Sequence, residues 1–312
     1  MEYKRLGQSG LKVSLVGLGC NNFGRRCDED ATTAIVHAAL DQGINFFDTA
    51  DIYGGAGQSE QLLGKAIKGL DRSQLIVATK FANPMGEGPL HRGANRGYIV
   101  KAVEDSLRRL DTDYIDLYQQ HVPDAGTPIE ETIRALDDLI RLGKVRYIGN
   151  SNFTGWQIAD ADWTAKSLGL NSFSSAQNLY NLLDQRVSRE VIPACERFQV
   201  GLLPYFPLAS GMLTGKYLRG EAPAKGTRLA SMGARGQAAL TDAAFDRFDQ
   251  YHKYAQDAGR GILELAMSWL ARQSVVSSVI AGATSALQVK QNVEAAQWPL
   301  SDSDLLDIGK LS

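Results

Sequence analysis

Long apolar runs, strong net charge and a cysteine framework are all missing from this chain of 312 residues. No stretch approaches the roughly 20 apolar residues that a membrane-spanning helix needs, and the polar start Met1–Arg5 gives no reason to expect a signal peptide. The formal net charge is −2, which provides no field to attract nucleic acid or an acidic membrane. We therefore expect no membrane and no nucleic-acid partner.

Cysteine and histidine are also scarce. The cysteines Cys20, Cys27 and Cys195 make no CxxC pair and no even framework, so reduced thiols in the cytoplasm are the simplest interpretation. Of the four histidines, only His121 ends a strand-like run, which is too few imidazoles for a hydrolytic metal site. The sequence thus predicts a cytoplasmic protein without a metal centre.

The chain does contain a regular alternation of short β-branched runs and amphipathic segments. The eight strand-like runs are Val13–Gly19, Asn45–Ala50, Leu75–Lys80, Ile115–His121, Val145–Asn150, Ser172–Asn178, Gly201–Leu208 and Val276–Ala283. Apolar residues at helical spacing are clearest in Ala31–Gln42, Ser59–Lys68, Tyr98–Leu110 and Pro128–Leu142. This alternation predicts an α/β fold, a (β/α)8 TIM barrel. Since no linker divides the chain, residues 1–312 are predicted to form a single domain.

Other segments qualify this architecture. A Rossmann sheet is the alternative, but the Gly17-Leu18-Gly19 segment lacks the third glycine and the helix start of a dinucleotide fingerprint. The turn residues Gln8–Gly10 predict an N-terminal β-hairpin before the first barrel strand. Gly215–Leu240 has no clean periodicity and is predicted to be a long functional loop after strand seven.

Ionisable residues occur at the ends of three successive runs. Asp48 and Tyr53 follow the second run, Lys80 closes the third and His121 closes the fourth, and the carboxyl ends of barrel strands converge on one pocket. A tyrosine with a nearby ammonium is a proton donor for carbonyl chemistry, because the cation lowers the phenol pKa. Each residue taken singly has a structural alternative: an ion pair, a packed ring or a structural hydrogen bond.

Four ordered motifs resemble the aldo-keto reductase superfamily. They are Gly43–Gly54, the Ser106–Leu110 and Asp113–Leu117 segments with His121, Gly143–Phe153, and Tyr205–Leu208 with Gly211–Tyr217. The resemblance covers nearly the whole chain, and it implies a (β/α)8 barrel and reversible NAD(P)H-dependent reduction of carbonyls to alcohols. It further implies that Asp48, Tyr53, Lys80 and His121 form the catalytic tetrad, in which Tyr53 is the general acid, Lys80 and Asp48 tune it, and His121 orients the carbonyl.

The resemblance also implies where a nicotinamide cofactor binds. Ser151, Asn152 and Gln177 would bind the nicotinamide amide, and Tyr205 would stack on its ring. Backbone groups of Leu208, Ser210 and Gly211 would meet the diphosphate together with the charge of Lys216, and Arg228 is a weaker candidate for the adenine or its ribose phosphate. The other expected contacts are Gly19, Cys20, Asn21, Phe206, Pro207, Gly282, Thr284, Gln288, Gln291 and Asn292.

The adenosine end departs from the family pattern. Gly282 and Gln288 stand where many members carry a lysine or arginine for the 2′-phosphate of NADP. We expect NADP(H) on family grounds, with NAD(H) as the alternative, and a small-molecule carbonyl or alcohol as substrate in a pocket that includes the apolar Phe23, Phe81 and Met85. A monomer or weak homo-oligomer is expected. A cofactor-binding regulatory subunit, as in family members that associate with potassium channels, is the competing functional hypothesis.

Overall fold

A short antiparallel hairpin closes one end of the structure. The computed structural model describes residues 1–311, and in it β1 (Tyr3–Arg5) pairs with β2 (Lys12–Ser14). Leu6 and Val13 are fully buried and pack in one cluster with Phe46 and Leu117. Because these partners point into the sheet interior, the hairpin plugs the amino-terminal end of the barrel. The predicted N-terminal hairpin is thus confirmed, while its plugging role was not predicted.

Eight parallel strands form the barrel, and all eight predicted runs are present. The strands are β3 (Val16–Gly19), β4 (Phe46–Asp48), β5 (Ile76–Phe81), β6 (Ile115–Gln120), β7 (Val145–Ser151), β8 (Ser175–Gln177), β9 (Gly201–Leu202) and β10 (Val279–Gly282). They are ordered β10-β3-β4-β5-β6-β7-β8-β9. Ser277 N donates to Leu202 O and Ile280 N to Pro204 O, each at 3.0 Å, which joins β9 to β10 and confirms the (β/α)8 barrel.

The seventh barrel strand is shorter than predicted. β9 ends at Leu202, whereas the apolar run extends to Leu208. Phe206, Ala209 and Ser210 have φ values of 52°, 46° and 57°. Left-handed residues cannot continue a strand, so the chain leaves the sheet here and turns over the mouth of the barrel.

Helices surround the sheet on its outer side. They are α1 (Glu29–Asp41), α2 (Tyr53–Ala56), α3 (Gln58–Ile67), α4 (Arg96–Leu110), α5 (Ile129–Arg141), α6 (Gly155–Ser167), α7 (Val191–Phe198), α8 (Arg228–Ser231), α9 (Ala234–Ala238), α10 (Asp242–Asp257), α11 (Ile262–Arg272), α12 (Ala286–Ala295) and α13 (Asp302–Gly309). The four helices predicted most clearly correspond to α1, α3, α4 and α5. In residues 1–311 no helix combines the length and the apolar character required to cross a bilayer.

The long loop after strand seven is more structured than expected. Gly215–Leu240 contains the short helices α8 and α9. Thr227 caps α8 through its hydroxyl, which accepts a hydrogen bond from Ala230 N at 3.4 Å, and Leu229 is buried. The segment therefore contains a capped helix and a buried contact with the core. Helices of 4 and 5 residues are too short to produce a recognisable hydrophobic period in the sequence. That residues 1–312 form one domain stays a prediction.

Candidate active site

A cleft of about 1180 Å³ opens at the carboxyl ends of the barrel strands. Every predicted catalytic and cofactor-binding residue lines it except Lys80, whose side chain is fully buried beneath the floor. The strands contribute the floor, the segment after β9 contributes one wall and α12 contributes the far end. The barrel therefore brings residues from distant parts of the chain to one face, as the strand ends predict.

An ion pair lies under the floor of the cleft. Lys80 Nζ is 2.6 Å from Asp48 Oδ2 and also donates to Thr49 O at 2.8 Å. Burial of the ammonium lowers the pKa of Lys80, but the charges and hydrogen bonds of Asp48 and Tyr53 together outweigh it, and the net pKa lies above the ordinary value. Lys80 is thus a fixed positive charge that is shielded from solvent.

Tyr53 stands directly above this pair. It begins the short α2 turn, in which Gly54 has a φ of 75° and no room for a side chain: a β-carbon there would lie 2.8 Å from Phe23 O. The Lys80 ammonium is 5.1 Å from the centroid of the Tyr53 ring. The glycine-rich turn thus fixes the phenol over the buried charge.

The pKa of Tyr53 differs from the sequence expectation. Burial raises the pKa of the phenol, the charge of Lys80 acts in the opposite direction, and the net pKa lies above the usual value. The expected sign of the lysine effect is correct, but the expected net lowering is wrong because desolvation of the phenol is the larger effect. Tyr53 accordingly holds its proton at neutral pH.

His121 completes the tetrad as a neutral imidazole. Its ring packs edge-on against Tyr53, with centroids 5.6 Å apart and planes at 84°. Burial, followed by the charge of Lys80, lowers the pKa of His121 to about 3. Nδ1 of the ring is buried and has no partner within residues 1–311. A neutral imidazole offers one N–H donor, which suits the predicted role of orienting a carbonyl.

The residues expected at the nicotinamide form a connected platform. Asn152 Nδ2 donates to His121 O at 2.9 Å and Asn152 Oδ1 accepts from Tyr205 Oη at 2.8 Å. Ser151 Oγ donates to Gln177 O at 2.9 Å, while Gln177 Nε2 donates to Asp48 Oδ1 at 2.9 Å. The side chain of Gln177 therefore donates a hydrogen bond to the carboxylate of the ion pair and also lines the cleft. These bonds hold the Tyr205 ring in a single orientation beside the tetrad.

Phe206 contacts two side chains in the wall after β9. Its ring packs edge-on against Tyr205, with centroids 5.2 Å apart, and the guanidinium carbon of Arg228 lies 4.5 Å above its centroid. Burial lowers the pKa of Arg228, and the charge of Arg26 acts in the same direction. Arg228 is half-buried and lines the cleft beside Phe206.

A cation and a glycine are packed together in the wall after β9. Gly211 has a φ of 96°, and a β-carbon on it would lie 2.5 Å from Lys216 Cε and 2.8 Å from Nζ. The missing side chain is what allows Lys216 to cross this backbone. Ser210 and Gly211 are successive left-handed residues, a backbone turn of the kind that can present N–H groups to an anion, although the N–H of Gly211 itself donates to Leu208 O at 2.8 Å.

Neutral polar groups line the α12 end of the cleft. Gln288 Oε1 accepts from Thr284 N at 2.9 Å and from its hydroxyl at 3.2 Å, while Ser285 caps α12 by accepting from Gln288 N at 3.3 Å. Asn22 Nδ2 donates to Ala283 O at 3.1 Å and ties this end to the segment after β3. Gly282 and Gln288 therefore give the α12 end of the cleft the neutral character that the sequence predicts.

Gly19, Cys20 and Asn21 line the cleft beside the floor. Cys20 is fully buried, and burial followed by the charge of Asp48 raises the pKa of its thiol well above the ordinary range. A protonated, buried thiol is a packing group rather than a nucleophile.

Sequence reasoning missed two kinds of site residue. Gln119 Nε2 donates to Asp48 Oδ1 at 3.1 Å and is an unpredicted member of the ion-pair site. Arg25 and Arg26 line the cleft, while Phe23 and Phe81 are fully buried away from it and Met85 packs against the core. The expected apolar lining from Phe23, Phe81 and Met85 is therefore wrong.

The assembled groups suit proton transfer to a ligand oxygen. A phenol that keeps its proton and a neutral imidazole lie side by side over a buried ammonium, and the cleft extends from them past an aromatic ring and a lysine to a polar helix start. An acid, a neutral donor and a fixed positive charge are the parts required to protonate a carbonyl oxygen.

Comparisons with known proteins agree with this geometry. A model of the aldo/keto reductase family matches residues 15–312. A "Probable voltage-gated potassium channel subunit beta" of Oryza sativa subsp. japonica is 38% identical, with 98% of this chain and 95% of that protein aligned. An "Uncharacterized oxidoreductase YrpG" of Bacillus subtilis is 36% identical over 98% and 94% of the two chains. An "L-glyceraldehyde 3-phosphate reductase" of Escherichia coli O157:H7 is 32% identical over 95% and 87%. The chain therefore belongs to the aldo/keto reductase family, whose members are in general NAD(P)H-dependent oxidoreductases acting on carbonyl compounds.

Proposed function

We propose that this protein interconverts aldehydes or ketones and the corresponding alcohols by hydride transfer, with Tyr53 as the general acid and base. The observation that carries the proposal is the position of the Tyr53 ring, which lies 5.1 Å from the ammonium of Lys80 and edge-on to a neutral His121. A proton donor, a charge that stabilises its conjugate base and a hydrogen-bond donor thus share one end of the cleft.

In the reducing direction, Tyr53 gives its proton to the carbonyl oxygen as the carbonyl carbon receives the hydride. When bound, a reduced nicotinamide supplies that hydride with its electron pair and is left oxidised. Lys80 stabilises the tyrosinate that remains, and His121 donates a hydrogen bond to the oxygen on which negative charge develops. Water in the open cleft then returns a proton to Tyr53. In the oxidising direction, the tyrosinate accepts the proton of the alcohol.

The chemistry of the residues that line the cleft fits a nicotinamide dinucleotide. Its volume of about 1180 Å³ lies just above the roughly 300–1,000 Å³ that is common for ligand pockets. Ser151, Asn152, Gln177 and Tyr205 would hold the nicotinamide, and the Ser210–Gly211 backbone with Lys216 would hold the diphosphate. The other proposed cofactor contacts also line the cleft: Gly19, Cys20, Asn21, Phe206, Pro207, Leu208, Arg228, Gly282, Thr284, Gln288, Gln291 and Asn292.

NADP(H) is the cofactor we favour, and NAD(H) is the alternative. The preference rests on the family, because the α12 end offers only neutral groups for a 2′-phosphate. Steady-state Michaelis constants for NADPH and NADH decide between them, and a preference above tenfold for NADH would reverse the assignment.

Replacing Tyr53 by phenylalanine tests the proposed mechanism. Tyr53→Phe removes the transferable proton and keeps the ring, so we expect turnover of a panel of aldehydes to be abolished while cofactor binding is retained. Tyr180→Phe is the control, because Tyr180 is a buried tyrosine that packs on Trp269 away from the cleft. If Tyr53→Phe kept nearly the original rate, Tyr53 would not be the acid.

The rice relative's name supports a second candidate, a cofactor-binding regulatory subunit. Such a protein would bind the cofactor but turn over slowly. The same aldehyde panel distinguishes the two, because a rate at the level of the Tyr53→Phe variant in the unmodified protein would favour the regulatory role.

A further inference from the structure

Six carboxyl side chains are buried in the described part of this fold, and one of them lacks a cation. They are Asp48, Asp51, Glu60, Asp116, Asp137 and Asp162. Asp51 makes no ion pair within residues 1–311, whereas the other five are paired, in the same order, with Lys80, Arg109, Arg72, Arg141 and Lys166. Asp51 is only 1% exposed. Because a buried carboxylate without a cation is costly and a protonated carboxyl is uncharged, this exception requires an explanation.

The guanidinium that acts on Asp51 is already bound by another carboxylate. Arg109 Nε on α4 lies 2.6 Å from Glu60 Oε2 on α3. The other titratable groups that face Asp51 are Tyr98 on α4 and Tyr118 on β6, and neither is a cation. Two carboxyl groups therefore share one positive charge. Since Glu60 holds the ion pair, Asp51 is the carboxyl that keeps a proton.

The contacts of Tyr98 indicate the same protonation state. Its hydroxyl lies 3.2 Å from Asn83 O and 3.4 Å from Asp51 Oδ2. A hydroxyl has one proton, so it cannot donate fully to both oxygens, and a backbone carbonyl has no proton to give. If Asp51 is protonated, its carboxyl donates to Tyr98 and Tyr98 donates to Asn83. An ionised Asp51 would instead compete with Asn83 O for a single proton.

The backbone of Asp51 belongs to the turn that carries Tyr53. Asp51 N donates to Lys80 O at 3.1 Å, two residues before Tyr53 begins α2. At the end of this turn, Arg109 crosses Gly57, where a β-carbon would lie 2.3 Å from the arginine Nε. Neither Asp51 nor Arg109 lines the cleft. The buried carboxyl cluster therefore supports the turn from outside the cleft.

We propose that Asp51 is a positioning residue whose proton holds the turn of Tyr53 in place, so that loss of this proton lowers turnover. The proposal rests on the proposed function, because Asp51 acts through Tyr53. The neutral carboxyl joins the turn, through Tyr98, to α4 and to the segment after β5. When it ionises, two negative charges and one positive charge remain in a buried place and the row of hydrogen bonds is broken, so the turn loses this support.

The pKa of Asp51 brings this change within reach of a pH titration. Burial raises the pKa of the carboxyl to about 8, with the charge of Glu60 adding to the rise and the charge of Arg109 opposing it. In the unfolded chain an aspartate has a pKa of about 3.9. The folded protein keeps a proton that the unfolded chain has lost, so stability decreases as the pH rises from about 4 to about 8.

Asp51→Asn tests the proposal, because it keeps an N–H donor for Tyr98 and cannot ionise. At saturating cofactor and the best aldehyde of the panel, we expect kcat to fall at least fivefold between pH 7 and pH 9 in the unmodified protein and less than twofold in Asp51→Asn. Tyr53 keeps its proton in this range, because its pKa lies above the usual value. Falls of equal size in the two proteins would overturn the proposal.

Asp116→Asn is the matched control for this substitution. Asp116 is also a buried carboxyl, but it is paired with Arg72 and does not line the cleft or contact the turn of Tyr53. Asp116→Asn should show the same fall of kcat between pH 7 and pH 9 as the unmodified protein. Loss of the fall in this variant as well would assign it to a general effect of removing buried carboxyls and would overturn the proposal.

Glu60→Gln provides a second variant in case Asp51→Asn folds poorly. It removes the negative charge that raises the pKa of Asp51, so Asp51 should ionise more readily. The midpoint of the fall in kcat should therefore move to lower pH by at least one unit. A midpoint that stays in place or moves to higher pH would contradict the role of Asp51.

A measurement without turnover separates this proposal from the proposed reaction. In protein labelled with 13C at the aspartate carboxyl carbons, the Asp51 signal, identified by its absence in Asp51→Asn, should titrate near pH 8. Titration below pH 5 would overturn the proposal. If Asp51 titrates near pH 8, and the urea midpoint falls more between pH 5 and pH 8 than in Asp51→Asn, the proton-dependent support stands. In a protein that reduces no aldehyde, only the proposed reaction then fails.

Discussion

Lys80 and Gln119 are register partners on β5 and β6, and they reach the two oxygens of one carboxylate. Lys80 Nζ lies 2.6 Å from Asp48 Oδ2, and Gln119 Nε2 lies 3.1 Å from Asp48 Oδ1. Gln177 donates to the same Oδ1 from β8. Three donors on three strands therefore fix the Asp48 carboxylate, which in turn fixes the ammonium beneath Tyr53.

Replacing Gln119 should lower turnover more than stability. Gln119→Met removes a hydrogen bond to a charged group, worth roughly 1.5–3 kcal/mol, but it also removes a buried amide oxygen that has no partner. We expect the free energy of unfolding to stay within about 1 kcal/mol because these terms offset one another. Lys80 loses part of its support, so we expect kcat to fall about tenfold, which corresponds to about 1.4 kcal/mol.

Gln120 provides the matched control for this substitution. It is the next residue on the same strand, it is also buried, its Nε2 donates to Val122 O at 3.0 Å and its Oε1 also has no partner. Since side chains alternate along a strand, Gln120 does not reach Asp48. Gln120→Met should keep kcat, and equal losses of kcat in the two variants would refute a positioning role for Gln119.

The buried ion pair should respond differently to single and double substitution. Lys80→Met leaves Asp48 charged, buried and without its cation, which should cost about 3–5 kcal/mol of unfolding free energy. Adding Asp48→Asn removes the isolated charge, so the double variant should regain more than half of that stability while remaining inactive. Urea unfolding and aldehyde turnover measure the two effects. A single variant as stable as the parent protein would show that solvent reaches the pair.

The order of strands and helices could be predicted from the sequence. The position of the tetrad follows from that order, because the tetrad residues lie at or just after strand ends. In a parallel barrel all carboxyl ends share a face, so Asp48, Lys80 and His121 must approach one another once the strands are assigned. Alternation along β5 also indicates that Phe81 faces away from the interior, since Lys80 faces inward. Phe81 stacks on Tyr118, with centroids 4.8 Å apart, outside the cleft, and applying this rule would have excluded it from the substrate pocket.

Other features depend on tertiary packing that no spacing reveals. Gln119 and Gln120 are identical neighbours, and only the register of β5 with β6 determines which one meets Asp48. The hydrogen bond of Arg26 to Gly226 O joins segments about 200 positions apart, so no local signal in the sequence indicates that Arg26 lines the cleft. The net pKa of Tyr53 depends on the depth of its burial, whereas the sequence supplies only the sign of the lysine effect.

The low pKa of His121 should affect the pH dependence of kcat/KM and the pH dependence of the unfolding free energy. Because burial and Lys80 lower it to about 3, His121 stays neutral between pH 5 and 8, so kcat/KM for reduction should show no inflection near the ordinary pKa of about 6.5. The unfolded chain takes up a proton below that value and the folded chain does not, so stability is complete above pH 6.5 and is lost as the pH falls toward 3.

His121→Asn isolates this contribution. Between pH 7.5 and pH 5 the parent protein should lose about 2 kcal/mol of unfolding free energy more than the variant, from about 1.5 pKa units at 1.4 kcal/mol each. Denaturant titrations at the two pH values give the difference. An equal loss in both proteins, or an inflection of kcat/KM near pH 6.5, would mean that His121 titrates normally.

Gly211 and Gly215 allow the role of Lys216 to be tested without changing its charge. Both glycines have positive φ values, 96° and 73°, so alanine is strained at each, by roughly 1–2 kcal/mol. A β-carbon on Gly211 would lie 2.5 Å from Lys216 Cε, whereas one on Gly215 would be 3.9 Å from its nearest neighbours, Ile262 and Phe248. Only Gly211→Ala therefore displaces the lysine side chain.

We expect the two alanine variants to lose similar stability and to differ in cofactor affinity. Gly211→Ala should raise the dissociation constant for the reduced cofactor at least tenfold, because the displaced ammonium no longer lies beside the proposed diphosphate turn, while Gly215→Ala should change it less than twofold. Quenching of protein fluorescence by the cofactor measures both constants. Equal dissociation constants in the two variants would show that Lys216 does not take part in cofactor binding.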